Sequence, residues 1–283
     1  MGRQVFAEIH DALPIWAARA ALHMWEEPCI SGKEGSGTVF FTGCTLRCVF
    51  CQNHEIAGSK VGKVISEERL AEIFLELQGK GANNINLVTP THFVPQIIRA
   101  LQSAKKQGMY LPVVYNTGGY ERVETLKMLD GLVDIYLPDF KYLNTDHAKK
   151  YSMAEDYPEV AKAAIAEMVR QAGKPVFDER GMMKRGVIVR HLLLPGCLAD
   201  GKRVVKYLHE TYGNRIYMSL MSQYTPLESL DAVKYPELNR KVPEYAYEKL
   251  VDYAISLGVM QAFIQEGDTA KESFIPPFTL EGV

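Results

Sequence analysis

Six short runs rich in β-branched and aromatic residues recur between residues 38 and 221, separated by stretches with helical spacing. No other feature constrains the fold as tightly. The runs are TVFFT (38–42), NINLV (84–88), LPVVY (111–115), VDIYL (133–137), GVIVRHLLL (186–194) and RIYMSLM (215–221). Each is apolar nearly throughout, the pattern of parallel strands covered on both faces. Helical spacing fills residues 66–81, 92–108, 119–132, 158–173, 201–213 and 242–258. In the first of these Leu70, Ile73, Phe74 and Leu77 share a face, Ser66 stands at the capping position, acidic residues follow and glycines end the pattern. Strands alternating with helices predict βα units, hence an α/β fold of the partial (β/α)6 TIM-like barrel type, with a flat doubly wound sheet as the alternative. Residues 14–27 read as an N-terminal helix laid outside the barrel. The chain is expected to be a single domain, with an N-terminal helical extension (1–36), a barrel core (37–225) and a C-terminal helical region (226–283).

The 283 residues carry a formal net charge of -2, without the basic excess of a nucleic-acid-binding domain. The start, MGRQVFAEIHDALP, places charges and a proline where a signal peptide needs an apolar core, and no apolar run is long enough to span a bilayer. Five cysteines, three of them crowded together, do not suit a disulfide framework. These features point to a cytoplasmic protein with reduced thiols, without a nucleic-acid or membrane partner.

The crowded thiols are Cys44, Cys48 and Cys51, directly after the first predicted strand. In a βα barrel the loops at the strands' C-terminal ends build the active site. Three thiolates suffice for a [4Fe–4S] cluster whose fourth iron stays open to a chelating small molecule. The competing reading is a structural zinc or an ordinary cluster completed by Cys29 or His54.

The spacing Cys-x3-Cys-x2-Cys, with Phe50 before the last cysteine, resembles the signature of the radical S-adenosylmethionine (SAM) superfamily. The lead-in GSGTVFFTGC and the polar pair Gln52–Asn53 resemble it too. The resemblance implies that SAM binds the open iron through its amino and carboxylate groups. One-electron cleavage then yields a 5′-deoxyadenosyl radical that abstracts hydrogen. Within the superfamily the chain is similar to the pyruvate formate-lyase activating enzymes and their uncharacterised relatives. VVYNTGGY (113–120) resembles a strand end of that family and implies SAM contacts from Asn116 and Thr117. YLPDFKY (136–142) resembles another, carried by Asp139 and Lys141, beside a cation site at which Asn116 stands where the family has an aspartate. VRHLLLPG (189–196) matches a strand ending in Pro-Gly, with Arg190 and His191 as SAM contacts or as a satisfied buried pair. LVTPTHF (87–93) departs from the family's Gly-Gly-Glu and leaves reception of the SAM amino group to the turn at Thr89. There His92 is either an acid or base near neutrality or a helix cap.

Cys29 lies in a glycine-rich loop expected near the barrel mouth, and Cys197 follows Pro195-Gly196 at a strand end. Either is a small buried hydrophobe or a hydrogen-atom donor to a substrate radical. Glu26 and Glu27 read as an exposed helix end, and Gln223 and Tyr224 as substrate contacts. The leading function is activation of a glycyl-radical enzyme, with flavodoxin or ferredoxin as electron donor. The alternatives are an epimerase or dehydrogenase acting directly on a peptide or small molecule, and a non-catalytic Fe–S or zinc protein.

Overall fold

The structure, a computed structural model, describes residues 14–58, 61–264 and 275–283. Its first strand, β1 (Ile15–His23), is a correction to the sequence reading, which placed a helix over 14–27. The alanine-rich run WAARAALH has good helix propensity, but pairing overrides it. β1 runs antiparallel to β2 (Ser36–Phe41), from Ala17 opposite Phe41 to His23 opposite Ser36. The alanines also let the chain's last residues approach: Leu280 N–H donates to Ala18 O and Ala20 N–H to Glu281 O. A Cβ on Gly282 would lie 2.1 Å from Ala20 O.

After a short helix α1 (Pro28–Ser31) and β2, the cysteine loop leads into α2 (His54–Ala57) and β3 (Lys63–Ile65), which pairs with β1. The βα units then follow in sequence: α3 (Glu67–Gly79), β4 (Ile85–Val88), α4 (Val94–Lys106), β5 (Val113–Thr117), α5 (Val123–Met128) and β6 (Ile135–Pro138). Two helices, α6 (Thr145–Ser152) and α7 (Tyr157–Ala172), precede a small β7 (Val176–Phe177) and the long β8 (Met183–Leu192). The chain continues through α8 (Leu198–Tyr212), β9 (Tyr217–Met221), α9 (Glu244–Ser256) and β10 (Ala262–Ile264). Two helix starts, those of α3 and α6, are capped by side chains, the first by the serine expected there. Ser66 Oγ accepts the Arg69 N–H at 3.1 Å, and Asn144 accepts from Asp146 and His147.

β2, β4, β5, β6, β8, β9 and β10 are parallel neighbours. All six predicted strands are present. The C-terminal region adds a seventh, β10, to the helix expected there. Among the described residues the sheet order begins at β10 and ends at β3 without pairing between those edges, so the barrel they form is partial.

What fills the barrel is the connection between β1 and β2. Residues 24–35 enter from the strands' N-terminal end and seat Cys29 and Ile30 against Val114, Ile135, Leu137, Met183 and Ile188. The asparagines of NINLV hold this plug in place. Asn84 Nδ2 donates to Ile30 O at 2.8 Å, and the neighbouring Asn83 donates to Ser31 O at 2.7 Å. Buried amides in an apolar strand are thus satisfied by the plug's backbone.

Candidate active site

A cavity of about 250 Å³ lies at the C-terminal ends of the strands. Cys44, Cys48 and Cys51 line it, in the loop that follows β2. Opposite them stand Thr89, Asn116, Thr117, Asp139, Lys141 and Arg190, from the ends of four successive parallel strands. All three thiols are held protonated more firmly than usual. Cys51 is pushed up to about 12, first by burial and then by the neighbouring Cys48 and Cys44, while burial raises Cys44 and Cys48. Among the described residues no three Cys, His, Asp or Glu side chains stand in ligating geometry as arranged here, and His54 is exposed on α2. The residues fit a cluster through their donor chemistry: three soft thiols share one wall of one cavity, with a cation, Lys141, acting on all three.

The opposite wall is a buried ionic lattice. Asp139 accepts from Lys141 Nζ at 2.6 Å and from Arg190 Nε at 2.9 Å. Arg190 also donates to Asn116 Oδ1 at 2.7 Å and lies 3.4 Å from Glu26 Oε2. Burial alone would raise the Asp139 carboxyl, yet Arg190 and Lys141 hold it below its usual range. Glu26 has the reverse balance: burial raises it against the pull of Arg190 and of the amides of Asn86 and Asn116. An array with both signs of charge lining one largely buried pocket suits a zwitterionic ligand.

Two strand ends are clasped to hold this wall. The Tyr157 hydroxyl accepts the Lys141 N–H at 3.0 Å and reaches the carbonyls of Gly118 and Asp139, each at 2.9 Å. Gly119, at φ +80°, must be glycine because a Cβ there would lie 2.2 Å from Asp139 O. Thr117 borders the cavity but gives its hydroxyl to the buried Glu121, which also accepts from Thr91 at 2.6 Å. Thr89 sits at φ +57°, a left-handed backbone that a β-branched residue rarely adopts. That strained turn stands in the position of the missing Gly-Gly-Glu.

Several predicted residues lie elsewhere. His191 faces outward, its Nδ1 on Phe140 O at 2.9 Å and its Nε2 beside Gly201 of α8, because successive side chains of a strand point to opposite faces. Cys29 is at the floor, not the mouth, beside a separate cleft lined by Phe177, Arg180, Tyr217 and Phe263. Cys197 is buried at the start of α8 and does not line the cavity. Burial pushes both thiols up to about 12. His92 packs beside Gly43, where a Cβ would meet its ring at 3.2 Å, and it too is off the cavity. Gln223 lines the cavity, whereas Tyr224 is core and donates to Leu238 O at 2.5 Å. Glu26 and Glu27 are buried in the plug rather than exposed at a helix end, and Glu26 lines the cavity. Tyr142, also on the cavity wall, and Ser152 behind Cys48 carry no signal in the sequence beyond ordinary packing residues.

Residues 38–196, more than half of the chain, match the family described as the radical SAM superfamily. The chain belongs to the radical SAM superfamily. Members use a [4Fe–4S] cluster and SAM, and these are its cofactors. It is 29% identical over 243 residues to the uncharacterised protein MJ0674 of Methanocaldococcus jannaschii, covering 82% of this chain and 65% of that one. The chain therefore spans about two thirds of that relative's length. It is 26% identical over 216 residues to the pyruvate formate-lyase-activating enzyme of Clostridium pasteurianum, covering 71% of this chain and 79% of that one. The fold matches SuiB of Streptococcus suis, solved with SAM bound, with a TM-score of 0.55, 12% identity, and coverage of 81% of this chain and 49% of that one. No helix among the described residues is long and apolar enough to cross a membrane.

Proposed function

We propose that this radical SAM enzyme activates a glycyl-radical enzyme by abstracting hydrogen from one glycine of its partner. Cys44, Cys48 and Cys51 hold the cluster in this reading. Bound there, the cluster and SAM supply one-electron cleavage of the sulfonium. The chain's own residues do the rest. Lys141 and Arg190 would pair with a ligand carboxylate, the Thr89 turn and Asn116 would orient its polar end, and Phe50 and Tyr142 would exclude water. A small flavodoxin or ferredoxin would deliver the electron.

The observation that carries the activase reading is the cysteine inventory. Outside the motif the chain has only Cys29 and Cys197, buried in separate hydrophobic clusters. Two thiols cannot build a second four-cysteine cluster, which pyruvate formate-lyase activating enzymes also lack. The similarity to the Clostridium pasteurianum enzyme supports the same reading. Direct epimerisation of a peptide would need a hydrogen donor near the radical. Among the described residues no thiol besides Cys44, Cys48 and Cys51 lines the cavity.

The test is anaerobic incubation of the reconstituted, reduced enzyme with SAM and a purified glycyl-radical enzyme. A glycyl doublet in the electron paramagnetic resonance (EPR) spectrum, with stoichiometric 5′-deoxyadenosine, is the expected result. Solvent deuterium entering a peptide product, with no glycyl radical, would turn the reading to direct peptide modification.

A further inference from the structure

The cysteine loop rests on the end of α6, and one side chain there touches a sulfur. Tyr151 O accepts the Val49 N–H at 2.9 Å and Ser152 O accepts the Arg47 N–H at 3.4 Å, so the backbone on both sides of Cys48 is fixed. Ser152 Oγ lies 3.0 Å from Cys48 Sγ and 3.1 Å from the Tyr142 hydroxyl. Both Ser152 and Tyr142 are 1% exposed, so water does not compete with either contact. In the free thiol, proton donation within this trio can run either way. An iron-bound Cys48 sulfur has no proton and can only accept. Ser152 must then donate its single O–H to Sγ, and Tyr142 must in turn donate to Ser152 Oγ. The trio thereby acquires one direction, Tyr142 to Ser152 to Cys48, and each bond polarises the next.

We propose that Ser152, backed by Tyr142, sets the reduction potential of the cluster by hydrogen-bonding its Cys48 ligand. One-electron reduction places extra negative charge on the cluster and its sulfurs. A buried O–H dipole aimed at one of those sulfurs favours the reduced state and raises the potential. Ser152 is a positioning and tuning residue, since it acts through Cys48 and is absent from the cavity wall. The inference rests on Cys48 being a cluster ligand and is independent of what the radical attacks.

An EPR-monitored redox titration of the reconstituted protein tests it without turnover. Ser152→Ala is expected to lower the potential, cutting the ratio of reduced to oxidised cluster at the wild-type midpoint by about tenfold, equivalent to about 59 mV for one electron. Tyr142→Phe, which leaves the Ser152–Cys48 contact in place, is expected to move it in the same direction by less. If Ser152→Ala does not retain the cluster, the Tyr142→Phe shift decides alone. Unchanged potentials, or a rise in either, overturn the proposal. Failure of the wild-type protein to hold a cluster at all would instead overturn the ligand assignment on which it rests.

Discussion

The two ends of this barrel are made of different materials. At the floor, Cys29 and Ile30 are packed among Val114, Ile135, Leu137 and Ile188, and the plug's carbonyls take the amides of Asn83 and Asn84, just before β4. At the mouth, one layer higher on the same strands, Asn116, Asp139 and Arg190 replace the aliphatics and Glu26 joins them. The same strands thus carry stability at one end and charge at the other. A barrel enzyme can afford a costly ionic site because its floor is closed by apolar contact. Glu26 and Ile30 lie four residues apart in one plug, so a single connection serves both ends.

The sharpest way to break that division is through the cysteines. Cys44→Ala, Cys48→Ala or Cys51→Ala is expected to abolish the cluster signal, whereas Cys29→Ala leaves it intact. Iron and sulfide content after anaerobic reconstitution checks both. A cluster that depends on Cys29 would join the two ends and undo the comparison. Next in size is Arg190→Met. It takes from Glu26 its cation and leaves Asp139 with Lys141 alone, and is expected to cost roughly 3 kcal/mol of stability. It should also weaken SAM binding by about tenfold or more, about 1.4 kcal/mol, measured by calorimetry on the reconstituted protein. Ile30→Ala, at a side chain with no exposure, is expected to cost about 2–5 kcal/mol in denaturant unfolding. Unlike Arg190→Met, it should leave SAM affinity within about twofold, about 0.4 kcal/mol.

The smallest effect is on pH dependence. His23, on the cavity wall at the end of β1, is pushed down to about 4 by burial and then by Arg19. Its folded value lies below its ordinary 6.5, so the unfolded chain takes up the proton first as the pH falls. The stability present above pH 6.5 is therefore lost between about 6.5 and 4, by up to roughly 3 kcal/mol. His23→Gln should flatten that part of the stability profile, and an unchanged slope would assign it to other groups.

Much of the fold was legible because parallel strands covered on both faces leave unbroken apolar runs, and all six of those runs became strands. β1 was not legible: its alanines carry a helical signal that only pairing with β2 and β3 overrides. β10 was missed because three residues are too short to show a period. In the site, the cysteine spacing and the strand-end residues Asn116, Asp139 and Lys141 were readable through the family resemblance, which their places at predicted strand ends supported. Arg190 and His191 could not be separated within an apolar run, since only the register says which faces inward. Ile188 inward places Arg190 inward and His191 out. Glu26 was hidden because a charged pair beside a proline looks like surface. Ser152 was hidden because nothing local marks a helix-end serine that meets a cysteine 104 residues earlier.

The central claim is that the three-cysteine loop holds a cluster with an open iron facing the charged wall. An EPR spectrum of anaerobically reconstituted, reduced protein, recorded with and without SAM, tests it most directly. The expected result is a [4Fe–4S]+ signal whose shape changes when SAM is added. A signal indifferent to SAM, or no cluster at all, would contradict it and point to a fourth protein ligand.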